Sequence, residues 1–364
     1  MAIMTMKTKS ISEAVRHAGW MNSVSTLSHA AESFDRDGFM KRIRSSLLNK
    51  YKGKMETSRF CFAVDDTVVP RSGKKMFGVG FHPRHGKSGV VRAQRVIVLV
   101  DRERGVAFPL AFSMCLNKHC ENYRTCQDLC FDLVKQVIDF GFPQLVTVVD
   151  AGFDSVPLVK KFDSAGLSVV FECKANRAVK TNPAPNGIKK TWKEALHKEL
   201  KVAVKLPQTD HCKQNRKTKY IAARRVQLNG RCAQFIAAAV YNKPSEANFF
   251  AVYCSNDLKL SGADLWEYSR ARWHVEEAFR ALKQSFSFLG IGWLSENACY
   301  ASICLPFALL NSLHMEPELW GGDLTAPVSM ATLRLRTRRL RKVNAKKPTN
   351  PTAEEVSLYF SHVA

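Results

Sequence analysis

The stretch Tyr268-Ser-Arg-Ala-Arg-Trp-His-Val-Glu-Glu-Ala-Phe-Arg-Ala-Leu-Lys283 sets one carboxylate among cations at helical spacing. Relative to Glu276, cations stand four residues before, four after and seven after, at Arg272, Arg280 and Lys283. With about 3.6 residues per turn, these side chains share one face of an α-helix. The opposite face is apolar, as a helix packed on a core requires, and contains Val275, Ala278, Phe279, Leu282 and Phe286. We therefore expect one amphipathic helix over this whole stretch.

Two interpretations of the charged face remain open from spacing alone. A carboxylate with cations one and two turns away is the arrangement expected of a metal ligand beside bound phosphates. The same spacing also produces a solvated row of ion pairs, each stabilising a helix by roughly 0.2–0.5 kcal/mol. The adjacent Glu277 is the alternative to Glu276 as the functional acid.

The charge of the chain indicates a polyanionic partner. Its 55 Lys and Arg residues outnumber 32 Asp and Glu residues, giving a net charge of +23 and an isoelectric point near 9.7, and nucleic acid is the obvious candidate. No stretch looks close to the roughly 20 apolar residues that span a bilayer, since the run Ala301–Leu310 is short and contains Pro306. The N-terminus lacks the apolar core of a secretory signal. We expect a cytoplasmic protein with no membrane partner.

The eleven cysteines are scattered and odd in number, which argues against a disulfide framework. The cluster Cys115, His119, Cys120, Cys126 and Cys130 can be imagined as a set of zinc ligands. However, paired CxxC motifs are absent, and a spacing of four residues in a helix is also ordinary for small buried thiols.

The order of predicted elements is that of a mixed α/β domain. Three strands, a helix, a strand, a helix and a strand follow one another; they are Phe60–Val64, Arg95–Val100, Val106–Phe112, Asn122–Phe140, Leu145–Val149, Val156–Ala165 and Leu167–Glu172. This order differs from a plain Rossmann alternation. We divide the chain into a helical segment (1–55) that contacts DNA or only packs, the first part of the core (56–176), a β-rich insertion (177–256), the Glu276 helix completing the core (257–292), and a helical, basic C-terminal segment (293–364).

Two sets of acids stand where predicted strands end. Asp65 and Asp66 follow the first strand, and Asp150 follows the fourth. If these strands are neighbours, the carboxylates meet at one edge of the sheet, and a helix crossing that edge could deliver Glu276. Three converging carboxylates would suit Mg²⁺ or Mn²⁺, which prefer hard oxygen ligands. Each Asp is equally compatible with an ordinary turn at a strand end.

These motifs together resemble the DDE transposases of the bacterial insertion-sequence-4 group, whose catalytic domain is RNase H-like. The helix signature of that group is Tyr-x2-Arg-x3-Glu-x6-Lys, and Arg272, Glu276 and Lys283 match it in register. Tyr268 departs from it, because it lies one residue too far from Arg272. The strand followed by Asp65-Asp-Thr67 and the strand followed by Asp150-Ala-Gly also fit the group. The resemblance covers roughly residues 60–289.

The resemblance implies a function and roles for particular residues. Asp65, with Asp66 as the alternative, would form a metal-binding triad with Asp150 and Glu276, and Mg²⁺ or Mn²⁺ would be the cofactor. Arg272 and Lys283 would hold DNA phosphates. The protein would be an insertion-sequence transposase, which hydrolyses phosphodiesters at element ends and transfers the freed strand to target DNA. It would act as a homodimer or higher oligomer on double-stranded DNA at a bacterial nucleoid.

Other basic side chains are expected to contact the DNA backbone. The segment from Arg71 to Arg95 is rich in basic residues, including Lys74, Lys75 and Arg84. A solvated hairpin that contacts no DNA could have the same composition. Arg280 belongs to the same group of DNA-binding candidates. Two alternative functions share the motifs: an RNase H-like nuclease without strand transfer, and a non-catalytic DNA-binding derivative that inhibits transposition.

Overall fold

The structure is a computed structural model and describes the parts of the chain whose helices and strands are given below. These parts are residues 31–55, 59–70, 77–81, 90–116, 120–174, 179–180, 189–190, 204–205, 219–228, 234–241, 251–285 and 295–315. Phe286, which the sequence assigns to the apolar face of the Glu276 helix, lies outside them, as does the basic C-terminal run.

The described elements follow the predicted mixture of helices and strands. The strands are β1 (Phe60–Pro70), β2 (Val79–Phe81), β3 (Val90–Asp101), β4 (Val106–Met114), β5 (Thr147–Val149), β6 (Val169–Glu172), β7 (Val179–Lys180), β8 (Lys189–Lys190), β9 (Val204–Lys205), β10 (Tyr220–Leu228), β11 (Gln234–Tyr241) and β12 (Ala251–Ser255). The helices are α1 (Arg36–Tyr51), α2 (Cys126–Asp139), α3 (Val156–Ser164), α4 (Gly262–Ala271), α5 (Trp273–Ser285) and α6 (Glu296–Met315).

The chain forms two compact units. The first contains the described residues of Met1–Phe60, Asp66–Pro143 and His274–Ala364, and the second contains those of Cys61–Asp65 and Gln144–Trp273. Strand β1 therefore contributes residues to both units. Glu276 belongs to the first unit, whereas the other two acids of the predicted triad belong to the second.

The first unit is built around β3. This strand pairs antiparallel with β2 near its start and with β4 along the rest of its length, and it also neighbours β1. Helices α1 and α6 pack on β4, and α2 packs on β3 and β4. Helix α1 buries the residues that the sequence places at helical spacing, namely Phe39, Met40, Ile43 and Leu47.

Helix α6 is longer than the sequence suggested. Its 20 residues are long and apolar enough to cross a membrane, but 89% of its most apolar window is buried inside the protein. The helix continues through the buried Pro306, so the run Ala301–Leu310 is not a short isolated segment. Packing against α1 and β4 explains the apolar composition, since a helix that is hydrophobic all round is either a core helix or a membrane span.

The second unit is a mixed sheet. Its strands follow the order β1-β5-β6-β12-β11-β10-β7-β8, and β9 pairs with β10. The pairs β1-β5 and β5-β6 are parallel, and the strands from β6 onward pair antiparallel. Helix α3 connects β5 to β6, and α4 packs on β6, β11 and β12. The predicted fold class is confirmed: a mixed sheet with flanking helices, and a β-rich segment, β7 to β12, that precedes the Glu276 helix.

Two details of the predicted elements are wrong. The stretch Tyr268–Lys283 is not one helix, because α4 ends at Ala271 and α5 begins at Trp273. The N–H of Arg272 bonds to the carbonyl of Arg270, so the ladder of bonds to the residue four positions back is interrupted there. The stretch Lys189–Lys201 has a basic pattern around Trp192 that predicts a helix, but it begins with strand β8, and residues 191–201 lie outside the described residues.

Candidate active site

Strand register brings three acids into line in the second unit. Val64 of β1 pairs with Val149 of β5, and Val149 pairs with Phe171 of β6. The residue that follows each of these is acidic, so Asp65, Asp150 and Glu172 come directly after three aligned residues of adjacent strands. Neighbouring strands lie about 4.8 Å apart, and paired residues face the same side of a sheet.

Asp65 lies within β1 and not at its end, which corrects the expectation from sequence. β1 continues to Pro70, because it neighbours β3 as well as β5, whereas its pairing with β5 ends at Val64. The Asp65 side chain is only 11% exposed, and its Oδ2 atom lies 3.3 Å from Nη1 of Arg272. A buried carboxylate needs such a partner, so Arg272 neutralises Asp65 in this structure.

The pleat of β1 separates the two candidates for the first acid. Successive side chains of a strand point to opposite faces, so Asp66 points away from the face that carries Asp65. Asp66 acts electrostatically on the thiols of Cys115 and Cys126 in the first unit. The two neighbouring carboxylates therefore lie in different surroundings.

Asp150 caps a short 3-10 turn that follows β5. Its Oδ1 atom accepts a hydrogen bond of 2.9 Å from the N–H of Gly152, and the turn spans Ala151–Phe153. A Cβ atom added to Gly152 would lie 3.0 Å from that oxygen, closer than ordinary packing. The Asp-Ala-Gly motif thus holds one carboxylate oxygen in place, as a strand-end turn would, and the small glycine leaves room for it.

Glu172 is the acid that the sequence did not single out. Burial raises the pKa of Glu172, the nearby Arg272 opposes that rise, and Asp150 adds to it. Glu172 and Arg272 line a cavity of about 40 Å³ together with Val149, Tyr253 and Ser269. One feature of the sequence could have identified Glu172: it ends a short apolar strand, just as Asp150 follows one.

The signature helix α5 belongs to the first unit. Its predicted apolar face is buried at Val275, Ala278, Phe279 and Leu282. Glu276 lies in the first turn and is half-buried. Glu277 is 47% exposed on its side chain, and its Oε2 atom lies 3.0 Å from Nδ1 of His274. The two adjacent glutamates therefore differ, with Glu277 in a local surface pair.

The predicted DNA-binding cations have separate surroundings. Arg272 contacts Asp65 in the second unit. Lys283, in the last turn of α5, donates a 3.3 Å hydrogen bond to the carbonyl of Val68 in the first unit. Arg280 is exposed on the same helix. Lys74, Lys75 and Arg84 lie outside the described residues.

Two acids of the second unit are donors of the kind that a divalent cation prefers. Across the described residues, no group of three or more His, Cys, Asp or Glu side chains is arranged to hold a metal ion. In the second unit, Asp65 and Asp150 are hard oxygen donors in register, which is the chemistry that Mg²⁺ and Mn²⁺ prefer. These carboxylates are therefore the type of ligand that such an ion prefers. In this structure the positive charge next to Asp65 is the guanidinium of Arg272.

Comparison with known proteins gives a clear family match. The model of the transposase DDE domain family matches residues 60–311 of the 364-residue chain. The matched region includes Asp65, Asp150, Glu276 and both cations of the signature. No curated protein matches the chain significantly.

The similarities to solved structures are remote. One is to the piggyBac transposase synaptic complex with hairpin DNA, with 13% identity, a TM-score of 0.41 and coverage of 83% of this chain. The alignment covers 57% of that transposase, so the chain spans little more than half its length. Another is to Ciona intestinalis endonuclease V in complex with a 23mer DNA containing an inosine, with 10% identity, a TM-score of 0.27 and coverage of 72% and 99% of the two chains.

Proposed function

Because the chain belongs to the family of transposase DDE domains, we propose that it is the transposase of an insertion sequence. It would hydrolyse phosphodiester bonds at the ends of the element and transfer the freed strands to target DNA. The observation that carries the proposal is the family match over a region that contains all three predicted acids. The register of Asp65 and Asp150 on adjacent parallel strands supports it.

Asp65, Asp150 and Glu276 would be the ligands of the catalytic metal. Mg²⁺, for which Mn²⁺ would substitute, supplies Lewis-acid stabilisation of the attacking oxygen and of the phosphoryl group when it is bound. Asp150 would present its carboxylate in a fixed orientation, since Gly152 already holds one of its oxygens. Asp65 would exchange its contact with Arg272 for one with the ion.

Arg272 would then bind a phosphate of the DNA. A guanidinium released from Asp65 can form two parallel hydrogen bonds to phosphate oxygens. Lys283 and Arg280 on α5, with Lys74, Lys75 and Arg84, would add backbone contacts that carry no sequence information. The net charge of +23 supports such binding, and affinity should fall steeply with salt.

The reaction would proceed in two in-line displacements. Water first attacks the phosphodiester at the element's end and releases a 3′-hydroxyl, which then attacks a phosphodiester of the target. Neither step requires a covalent bond between protein and DNA. A homodimer or higher oligomer would hold two element ends, and the bacterial nucleoid in the cytoplasm would be the place of action.

The test compares two adjacent glutamates. Glu276→Gln keeps the size of the side chain and removes its charge, so metal-dependent cleavage of a duplex carrying an element end should fall by about three orders of magnitude. Glu277→Gln, which breaks the exposed pair with His274, should cleave at nearly the wild-type rate. Band-shift assays should show that both variants still bind the duplex.

The reaction products distinguish the alternative functions, and the variant that loses cleavage distinguishes Glu276 from Glu277. A wild-type protein that cuts in Mg²⁺ or Mn²⁺ but never yields joined products is a nuclease. One that binds element ends without cutting is an inhibitor. If Glu277→Gln is inactive and Glu276→Gln cuts normally, the assignment is off by one residue, and if both cut normally the role given to this helix is wrong.

A further inference from the structure

Asp154 is a buried acid of the second unit to which the proposed reaction gives no role. It ends the 3-10 turn that follows β5, and it is only 2% exposed. Aspartate is almost never fully buried without a partner, because a carboxylate that leaves water must recover its lost hydrogen bonds inside the protein. The partner of Asp154 therefore indicates what its burial achieves.

That partner is the backbone beside the neighbouring strand. Oδ2 of Asp154 accepts a 3.1 Å hydrogen bond from the N–H of Lys174. Lys174 follows β6, whose last residue is Glu172, and β6 pairs parallel with β5. The carboxylate thus fastens the turn after β5 to the chain that leaves β6. A hydrogen bond to an ionised carboxylate is roughly twice as strong as one between neutral groups, which favours aspartate at this position.

The turn itself joins Asp154 to Asp150. The carbonyl of Asp150 accepts the N–H of Phe153 over 3.1 Å. The carbonyl of Ala151 accepts the N–H of Asp154 over 3.2 Å. Inside the same turn, Oδ1 of Asp150 accepts the N–H of Gly152. Because the two acids are the ends of one short hydrogen-bonded turn, a displacement of Asp154 would also move the backbone that holds the Asp150 carboxylate.

The bond from Lys174 differs in direction from the bonds along the chain. Ser155, the next residue after the turn, caps α3 by accepting the N–H of Leu158 over 3.4 Å. This bond and those of the turn lie within one segment, between β5 and α3, so they fix its local shape. The bond between Asp154 and Lys174 joins that segment to a neighbouring strand, so it fixes the position of the turn against the sheet.

We propose that Asp154 is a positioning residue for Asp150, an inference that rests on the proposed function, in which Asp150 is a ligand of the catalytic metal. By fastening the turn to β6, Asp154 keeps the Asp150 carboxylate in place before an ion binds. The affinity for the ion is then not reduced by the cost of ordering the turn. Ligating carboxylates are commonly supported in this way by hydrogen-bonded groups behind them.

The test measures Mn²⁺ binding to the full-length protein by calorimetry, without DNA. Asp154→Ala should weaken the binding about tenfold, as the loss of a group behind a metal ligand does. Asp154→Asn keeps an oxygen that can accept the N–H of Lys174 but loses the charge, so it should weaken the binding only about threefold. Cleavage by Asp154→Ala should recover when Mg²⁺ is raised about tenfold, because the ligand is displaced and not removed.

Asn256 supplies the matched control, because it holds the other end of β6. Its Oδ1 atom accepts the N–H of Val169 over 2.9 Å, and its Nδ2 atom donates to the carbonyl of Leu167 over 2.9 Å. Asn256→Ala should therefore lower the melting temperature, whereas its Mn²⁺ affinity should stay within about twofold of wild type. Losses of Mn²⁺ affinity that follow the losses of melting temperature in both variants would make the role of Asp154 purely structural and overturn the inference.

Amide hydrogen exchange in the absence of metal gives a readout that does not depend on the reaction. The N–H groups of Gly152 and Phe153 should exchange faster in Asp154→Ala than in wild type, and at the wild-type rate in Asn256→Ala. Unchanged exchange in Asp154→Ala, or unchanged Mn²⁺ affinity, overturns this inference alone. A wild-type protein that neither binds Mn²⁺ nor cleaves DNA overturns the proposed function and this inference with it. If Asp154→Ala does not fold, an Asp154→Asn variant with wild-type Mn²⁺ affinity overturns the inference.

Discussion

The acids of the candidate site come from two kinds of local structure, and the difference decides how each is positioned. In the second unit, Asp65 and Asp150 lie 85 residues apart in sequence and are aligned by the register of β1 and β5. In the first unit, the surroundings of Glu276 follow from the spacing of residues along one helix. A shift of one residue along a strand would move an acid to the other face of the sheet, whereas a shift along a helix rotates it by about 100°.

The electrostatic partners differ in the same way. Asp65, 11% exposed, pairs with Arg272, which lies 207 residues away in sequence. Glu277, 47% exposed, pairs with His274 one turn earlier. Breaking a buried pair leaves a charge without compensation, while surface pairs contribute little. Substitutions should therefore cost more on the strands than on the exposed side of α5.

The largest effect should separate the two neighbouring acids of β1. Asp65→Asn removes a proposed metal ligand and should reduce cleavage by about three orders of magnitude. Asp66→Asn alters the opposite face of the strand and should stay within about tenfold of wild type. Cleavage rates in saturating Mg²⁺, with folding checked by circular dichroism, measure both. Equal losses of cleavage in the two variants would show that the face of β1 on which each acid lies does not determine its role.

A smaller effect should distinguish two arginines that lie two positions apart. Arg272→Ala leaves Asp65 without its cation and removes a phosphate contact, so activity should fall about 10- to 100-fold, as expected for a group that supports a metal ligand. Arg270 pairs with Glu267 over 3.6 Å on the same helix, and Arg270→Ala should change activity less than about threefold. Metal affinity, measured by calorimetry, adds a second readout. If both variants behave alike, the Asp65 contact has no special role.

Local patterns predicted most of the elements. The alternation and apolar runs located β1, β3, β4, β5 and β6, because strands that are buried in a sheet consist largely of apolar residues. The helical spacing located α1, α2 and the apolar face of α5. The length of α6 was missed, since Pro306 is usually read as the end of a helix, although here the helix continues through it.

Features that depend on long-range contacts could not be predicted in this way. The position of Asp65 inside β1 depends on the neighbouring β3. The alignment of Glu172 with Asp65 and Asp150 depends on the registers of two strand pairs. Sequence patterns give the identity of the acids, while pairing decides which of them share a face.

The smallest effect concerns Glu172, the strand acid with no assigned role. Burial raises its pKa in the folded protein, so as the pH rises above the ordinary glutamate value of about 4.3, the unfolded chain releases this proton first. The folded state therefore loses stability through that window, and the penalty remains constant once the pH exceeds the raised pKa. Glu172→Gln is neutral at every pH and avoids the penalty. Relative to wild type, its melting temperature should be higher at pH 7 than at pH 4, by roughly 1–3 °C.

The control for this change is Glu267→Gln, which removes a half-buried carboxylate of the same unit that pairs with Arg270. Thermal unfolding of both variants at pH 4, 5, 6 and 7 gives the comparison. Arg272 opposes the rise of the Glu172 pKa. A stronger attraction between these two side chains would therefore make the gain in melting temperature smaller. A Glu172→Gln variant that is relatively less stable at pH 7 than at pH 4 would show that attraction to Arg272 outweighs burial. Glu172 would then be a partner that holds Arg272 in competition with Asp65.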